Sequence, residues 1–308
     1  MIKGLWPEKY RPKTITEYVF RDEVQRRQID SWIKQGSIPH LLLSGSPGIG
    51  KTTLAKILCS ALNIDEYDIL DINASRENNV DTVREKIINF VQMIPFGPFR
   101  VVLLDEADYF TPNAQAILRG VMEVYSSTSR FILTCNYPNR IIPAIHSRCQ
   151  QMHFTSVDQT EFTARAATVL LTEGINFDLD QLDTYIKATY PDLRKCLNLL
   201  EQNCVDGSLT DPKSGDNGIS DHKIKMVELF KARKIREARE LLCGSILPEE
   251  IEEIYTWMYQ NINLFGETDE TQDMALLIIK QGLVDHALIA DPEINLAATL
   301  VKLARLQN

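Results

Sequence analysis

The sequence predicts an α/β fold, a parallel sheet with helices on both faces, followed by a small helical domain and an all-α C-terminal domain. Three observations carry this. As far as residue 154, short apolar runs ending in glycine, asparagine or a carboxylate alternate with segments of helical period. After "QQMHFTSVD" the strand signal stops and three helical segments follow. The stretch "DGSLTDPKSGDNGISD", rich in Gly, Ser, Asp and Pro, then separates these from further helical sequence. The implied organisation is an α/β domain over 1–154, a helical domain over 155–206, a linker over 207–221 and a second helical domain over 222–308.

Taken in order, "HLLLSG" is a buried strand ending in glycine, and "KTTLAKILCSAL" after it has the apolar spacing of a helix. "YDILDIN" reads as a second strand, "FRVVLLDEAD" as a third ending in carboxylates, and "SRFILTCN" as a fourth. Such runs, apolar on both faces, belong in a parallel sheet covered on each side. Between them, "NNVDTVREKIINFVQ" and "TPNAQAILRGVMEVY" have helical spacing. Beyond residue 158, "QTEFTARAATVLLTEG", "DLDQLDTYIKATYP" and "DLRKCLNLLEQNC" form the first helical group. "KIKMVELFKARKIREARELLCG", "EEIEEIYTWMYQNINLFG" and "INLAATLVKLARLQ" form the second.

With 308 residues and 44% hydrophobic content the chain has material for two or three cores. Its net charge of −9 argues at first against nucleic acid, but the charge is uneven. Residues 1–200 carry 22 Lys and Arg against 23 Asp and Glu, whereas 201–308 carry 11 against 19, so the acidity gathers at the C-terminal end. The first two thirds can therefore present a local basic surface. Six dispersed cysteines with no C-x-x-C pair imply reduced thiols rather than a zinc site or disulfide framework. No apolar run reaches the ~18 residues of a membrane span, and the N-terminus lacks a signal-peptide core, so a soluble cytoplasmic protein is expected.

"GSPGIGKT", Gly45 to Thr52, fits G-x-x-x-x-G-K-[ST] and stands between a strand and a helix, as its mechanism requires. Glycines such as Gly48 and Gly50 let backbone N–H groups curl around phosphate oxygens, and the helix N-terminus adds partial positive charge. Lys51 would reach the β- and γ-phosphates, and Thr52 would ligate Mg²⁺. In "VVLLDEAD" four apolar residues deliver Asp105 to a strand tip, where it can hold Mg²⁺ through water, and Glu106 is placed to polarise an attacking water. Asn136, at the tip of "FILTCN", can hold that water or sense the γ-phosphate, although asparagine at a strand end is also ordinary turn chemistry. Metal and base side by side imply hydrolysis.

The ordered set "EKYRP", "GSPGIGKT", "LLDEAD", "ILTCN", "IHSRCQ" and "YPDLRKCLNLLE" resembles the AAA+ clamp-loader family. The likeness is to replication factor C small subunits and the ATPase subunit of T-even-type bacteriophage clamp loaders, and it covers nearly the whole chain. It implies an AAA+ sheet domain, a helical lid and a helical collar, with ATP hydrolysis coupled to opening a sliding clamp and closing it on primer–template DNA during replication. By resemblance Lys51 and Thr52 are the Walker A pair, Asp105 and Glu106 the Walker B pair, Asn136 sensor 1, and Arg194 the lid's sensor 2 arginine. Pro7, Glu8, Lys9, Tyr10 and Val19 match adenine-side contacts, and Ile49 and Thr53 complete the loop's nucleotide contacts. Arg148, in "SRC", matches an arginine finger acting in trans on a neighbour's ATP, so the expected assembly is a ring of several copies plus a distinct subunit. The pattern departs at Gly120, where many members carry a second arginine; phage members also lack it, which leans toward a viral source and a host cytoplasm.

The same resemblance makes Asn79 and Arg84 phosphate contacts on the duplex and Phe90, Met93, Ile94 and Phe96 clamp contacts. Core packing competes for those four residues, because "FVQMIPFGPF" has more large apolar side chains than one buried face needs. Gln115 and Arg119, four residues apart in the helix after Asp105 and Glu106, are expected to share a face and relay DNA occupancy to the carboxylates. Rival readings are another AAA+ DNA-remodelling ATPase, such as a Holliday-junction helicase motor or helicase loader, and a catalytically dead scaffold. The first would be expected to carry a basic winged helix where this chain is acidic and helical. The second conflicts with the intact Lys51, Thr52, Asp105, Glu106 and Arg148.

Overall fold

A computed structural model describes residues 5–77 and 80–210, scattered positions between 229 and 241, and 251–306 except 261, 263–264, 267, 287–288 and 290. The chain divides into two compact units, 1–209 and 210–308.

The first unit opens with a single turn, α1 (Trp6–Lys9), and with α2 (Glu23–Gln35). The Asp22 carboxylate caps α2 by accepting the Gln25 N–H, and Gly36 ends it with a left-handed φ of 63°. The sheet units are β1 (Leu41–Gly45), α3 (Lys51–Ala61), β2 (Ile69–Asn73), α4 (Val80–Gln92) and β3 (Arg100–Asp105). After them come α5 (Pro112–Val124), β4 (Ser129–Cys135), α6 (Pro143–His146) and β5 (Gln150–Phe154). All five strands are parallel, in the order β2-β3-β4-β1-β5. The phosphate-loop strand β1 thus lies between β4 and β5, and its C-terminal end is flanked by the tips of both. The edge strand β5 alternates outward Gln151 and His153 with buried Met152 and Phe154.

Helices on both faces give two apolar clusters. One joins Leu41 and Leu43 of β1 and Leu54 and Leu58 of α3 to Phe162, Tyr185 and Leu200 of the following helices. The other joins Leu42, Val102, Leu104, Phe131 and Leu133 to Ile87, Val91, Leu118 and Met122 of α4 and α5. The helical group is α7 (Gln159–Thr172), α8 (Leu179–Thr189) and α9 (Leu193–Gln202), capped by Asp158, Asp178 and Asp192. It shares the first cluster with the sheet. A short hairpin follows, β6 (Cys204–Val205) with β7 (Ser208–Leu209). Leu209, within the stretch expected as linker, is buried in the first cluster.

In the second unit the described helices are α10 (Ile251–Gln260), α11 (Asp269–His286) and α12 (Pro292–Leu306), packed through Tyr255, Met258, Ile279, Leu296, Leu300 and Leu303. Most of the expected helix "KIKMVELFKARKIREARELLCG" lies outside the described residues. Among those described, no helix is long and apolar enough to cross a membrane, and Cys59, Cys135, Cys149, Cys196 and Cys204 are free thiols.

Candidate nucleotide-binding site

The loop between β1 and α3 is bent by three glycines with positive φ: Gly45 at 146°, Gly48 at 74° and Gly50 at 95°. At Gly45 a Cβ would meet the Phe154 carbonyl oxygen at 2.1 Å, so both the turn and the packing of β5 demand glycine there. Lys51 opens α3 with its side chain folded back into the loop, 7% exposed. Its Nζ donates to the Gly45 and Ser46 carbonyls, both at 2.7 Å, and to Asn136 Oδ1 at 2.8 Å. Those three acceptors favour the ammonium, yet burial prevails and pushes its pKa down to about 8. A cation so poorly solvated is poised for an anion.

The carboxylates stand at the tip of β3, with β4 between that strand and β1. Asp105 Oδ1 accepts from Thr52 Oγ1 and from Thr134 Oγ1, each at 2.6 Å. A hydroxyl and a carboxylate so close are hard oxygen donors of the kind Mg²⁺ takes alongside substrate phosphates. Glu106 has a left-handed φ of 56°, and its N–H donates to Thr134 Oγ1 at 3.0 Å. Asp108, 6% exposed, accepts the Tyr137 N–H at 3.2 Å and so fixes the turn just beyond Asn136. Beside them burial pushes the Cys135 thiol up to about 12, which keeps it protonated.

One cavity adjoins the loop. Of the expected nucleotide contacts, Pro7, Tyr10, Val19, Gly48, Ile49, Gly50, Thr53 and Arg194 line it. Glu8 and Lys9 do not: Glu8 pairs at 2.9 Å with Arg11, which itself lines the cavity, and Lys9 pairs at 2.5 Å with Glu173, the residue after α7. Tyr18 also lines it, a residue missed in the sequence. Its ring stands over Gly50, and its hydroxyl is buried.

Arg148 stands just after α6. Its Nη1 donates to the Ala144 carbonyl at 2.7 Å and to Ser147 Oγ at 3.3 Å, and its Nη2 donates to Glu123 in the last turn of α5. None of these bonds goes to the chain's own phosphate loop.

The remaining expectations divide. Gln115 and Arg119 do not share an outward face. Arg119 is exposed, whereas Gln115 is 1% exposed, its Nε2 donating to the Phe110 and Arg140 carbonyls and its Oε1 accepting the Ile142 N–H. A side-chain amide with three backbone partners is drawn inward against the helix's polar pattern. Asn79 lies outside the described residues, as does the side chain of Arg84 on α4. Of the apolar tip, Met93, Ile94 and Phe96 are 55%, 89% and 78% exposed. Phe90 instead packs against the second core cluster with the Arg100 guanidinium over its ring at 4.6 Å. Tyr67, exposed and 6.3 Å from the Phe96 ring, extends the tip and went unnoticed in the sequence.

The family model of ATPases associated with various cellular activities matches residues 41–157, the span from β1 through β5. The replication factor C small subunit of Sulfurisphaera tokodaii is 36% identical over 97% of this chain and 95% of its own length. That of Archaeoglobus fulgidus is 35% identical over 98% of each. The chain belongs to the replication factor C small-subunit family. Membership makes it an AAA+ ATPase that binds nucleotide and hydrolyses ATP. Among solved structures, the RuvB Holliday junction branch migration motor of Thermotoga maritima superposes with a TM-score of 0.54 over 80% of each chain. At 18% identity that likeness shows the fold alone, and the Holliday-junction reading is the weaker one.

Proposed function

We propose that this chain is the ATPase subunit of a sliding-clamp loader, which couples ATP hydrolysis to opening a ring-shaped clamp and placing it on primer–template DNA. The observation that carries the reading is the near end-to-end match, 95% and 98% of two replication factor C small subunits. Three features support it. Thr52 of the phosphate loop and the strand-tip Asp105 are hydrogen-bonded to each other; an exposed apolar tip of Met93, Ile94 and Phe96 fits a protein partner, the clamp; and the hydrogen bonds of Arg148 go to Ala144, Ser147 and Glu123 rather than to its own loop.

Within one site, Lys51 and the loop N–H groups bind the phosphates, and the Gly48–Thr53 segment with Val19, Pro7 and Tyr10 holds the adenine side. Mg²⁺, held by Thr52 and through water by Asp105, would supply neutralisation of the phosphate charge. Glu106 takes the proton of the attacking water and Asn136 orients it. Arg194 senses nucleotide from the lid, and Arg148 serves the ATP of the adjacent subunit in a ring of several copies plus a distinct subunit. Asn79, Arg84 and Arg119 are assigned to the DNA surface. A complex reconstituted with the partner subunit is expected to hydrolyse ATP slowly alone and at least tenfold faster with clamp and primed DNA together. Hydrolysis indifferent to the clamp but stimulated by four-way junctions would replace this reading with the branch-migration one.

A further inference from the structure

Thr134 lies at the end of β4 with 2% of its surface exposed, between the phosphate-loop strand and the strand that bears the carboxylates. If it served only to pack a sheet, valine would do as well, since the two are near-isosteric and both favour strands. Its hydroxyl, however, both donates and accepts. It donates to Asp105 Oδ1 at 2.6 Å and accepts the Glu106 N–H at 3.0 Å. One oxygen therefore ties the side chain of one Walker B carboxylate to the backbone of the next.

The second bond matters because of where Glu106 stands. A non-glycine residue at φ 56° occupies a region that costs ~1–2 kcal/mol and persists only where its surroundings hold it. The Glu106 carbonyl accepts the Tyr109 N–H at 3.0 Å, which fixes the chain after the kink. The Thr134 hydroxyl fixes the side before it. The direction in which the Glu106 carboxylate leaves the backbone is set between these two bonds.

We propose that Thr134 is a positioning residue for ATP hydrolysis: its hydroxyl holds the left-handed turn that aims Glu106 at the attacking water, and holds Asp105 in the rotamer that also receives Thr52. The inference rests on Glu106 acting as the base. With valine, the Asp105 carboxylate loses one donor and the Glu106 N–H is left without its acceptor. The turn then relaxes toward ordinary φ, and the carboxylate moves by a fraction of its own length. Displacements of about 1 Å in such groups cost on the order of 10²-fold in rate.

The test compares Thr134→Val, Thr134→Ser and Thr134→Cys in the reconstituted complex, each measured for kcat, KM and fluorescent ATP-analogue affinity. Thr134→Val is expected to lose about 10- to 100-fold in kcat, with KM and analogue affinity within about threefold, and Thr134→Ser to restore kcat to within about threefold. Thr134→Cys keeps the volume with a poor donor and should fall between them, so the question stays answerable if the valine variant does not fold. Full kcat in Thr134→Cys or Thr134→Val, a loss lying wholly in KM, or a serine variant as slow as valine would overturn the proposal. A further arm separates it from its premise. Glu106→Gln should cut turnover to a small residual rate by itself, and adding Thr134→Val to it should lower that rate by much less than Thr134→Val does alone, the remainder acting through Asp105. If Glu106→Gln stays active, the base assignment fails; if the two losses multiply, the positioning role fails.

Discussion

Gln115→Leu removes a buried amide while keeping nearly the same volume. The amide makes three bonds, to the Phe110 carbonyl at 3.0 Å, the Arg140 carbonyl at 3.0 Å and the Ile142 N–H at 2.8 Å. Each is worth about 1 kcal/mol net, and a donor or acceptor left buried without a partner costs about 1–3 kcal/mol more. Water can reach the exposed Arg140 and the half-buried Ile142, which limits the penalty there. The Phe110 carbonyl is bonded within the buried part of the site and keeps its full cost. A loss of about 2–4 kcal/mol follows, read as a shift in urea midpoint of the isolated subunit at unchanged slope. The change should also reach the trans site. The segment at 140–142 leads directly into α6 and Arg148, so the amide ties the helix after the carboxylates to the backbone that precedes Arg148, the proposed finger. Clamp- and DNA-stimulated ATPase should fall at least tenfold while ATP binding is retained. A destabilisation below 1 kcal/mol would refute the hydrogen-bond reckoning, and full stimulated activity in a destabilised protein would refute the link to Arg148.

Arg148→Ala should lower hydrolysis in the assembled complex by about 10³-fold or more yet spare ATP binding to its own subunit; mixing it with Lys51→Ala subunits and assaying turnover shows whether the defect lies with the neighbour's nucleotide. Met93→Ser with Phe96→Ser should weaken clamp binding at least 100-fold in a pull-down titration and leave basal ATPase unchanged, since both side chains are exposed; unfolding instead would assign them to the core. The Lys51 pKa of about 8 predicts that ATP affinity falls above that pH, by about tenfold per unit, with proton uptake on binding because phosphates restore the ammonium. Calorimetry in two buffers of different ionisation heat reads this, and an affinity flat to pH 9.5 would count against it. In the empty protein the sign for folding is opposite: the unfolded chain binds more protons between about 8 and the ordinary lysine value of 10.5, so Lys51's contribution to stability rises with pH across that window.

Where burial was continuous the sequence spoke clearly: Leu41–Leu43, Val101–Leu104 and Phe131–Leu133 are apolar on both faces, and their tips carried the motifs. It was silent where one face is wet or where polar groups turn inward. In β5 only Met152 and Phe154 point in, too few to mark a period of two. In α11 the run "MALLIIK" is apolar on several sides, which hid the helical stripe. The inward turn of Gln115 has no sequence mark, because what draws it in is backbone from two other segments. Thr134 stood two residues before a motif asparagine, on the same side of the strand, and that spacing was the available clue. The kink at Glu106 had none, since a left-handed glutamate looks like any other in sequence. At the tip, the split between Phe90 and its exposed neighbours depended on Arg100, whose guanidinium reaches across to cover one ring and leaves the others bare.

Gly48 meets two demands at once. The loop needs its positive φ, and a Cβ there would sit 1.9 Å from Oδ1 of Asp192, the residue that caps α9 two positions before Arg194. Burial against this spot raises the Asp192 carboxyl pKa. The phosphate loop and the helical group therefore meet at Gly48 with no spare volume between them. Even an alanine with a tolerated backbone would act as a wedge, prising the lid helix and its arginine outward. On the proposed sensing role of Arg194, a variant that still cradles phosphate is then deaf to it, occupied yet unable to report occupancy.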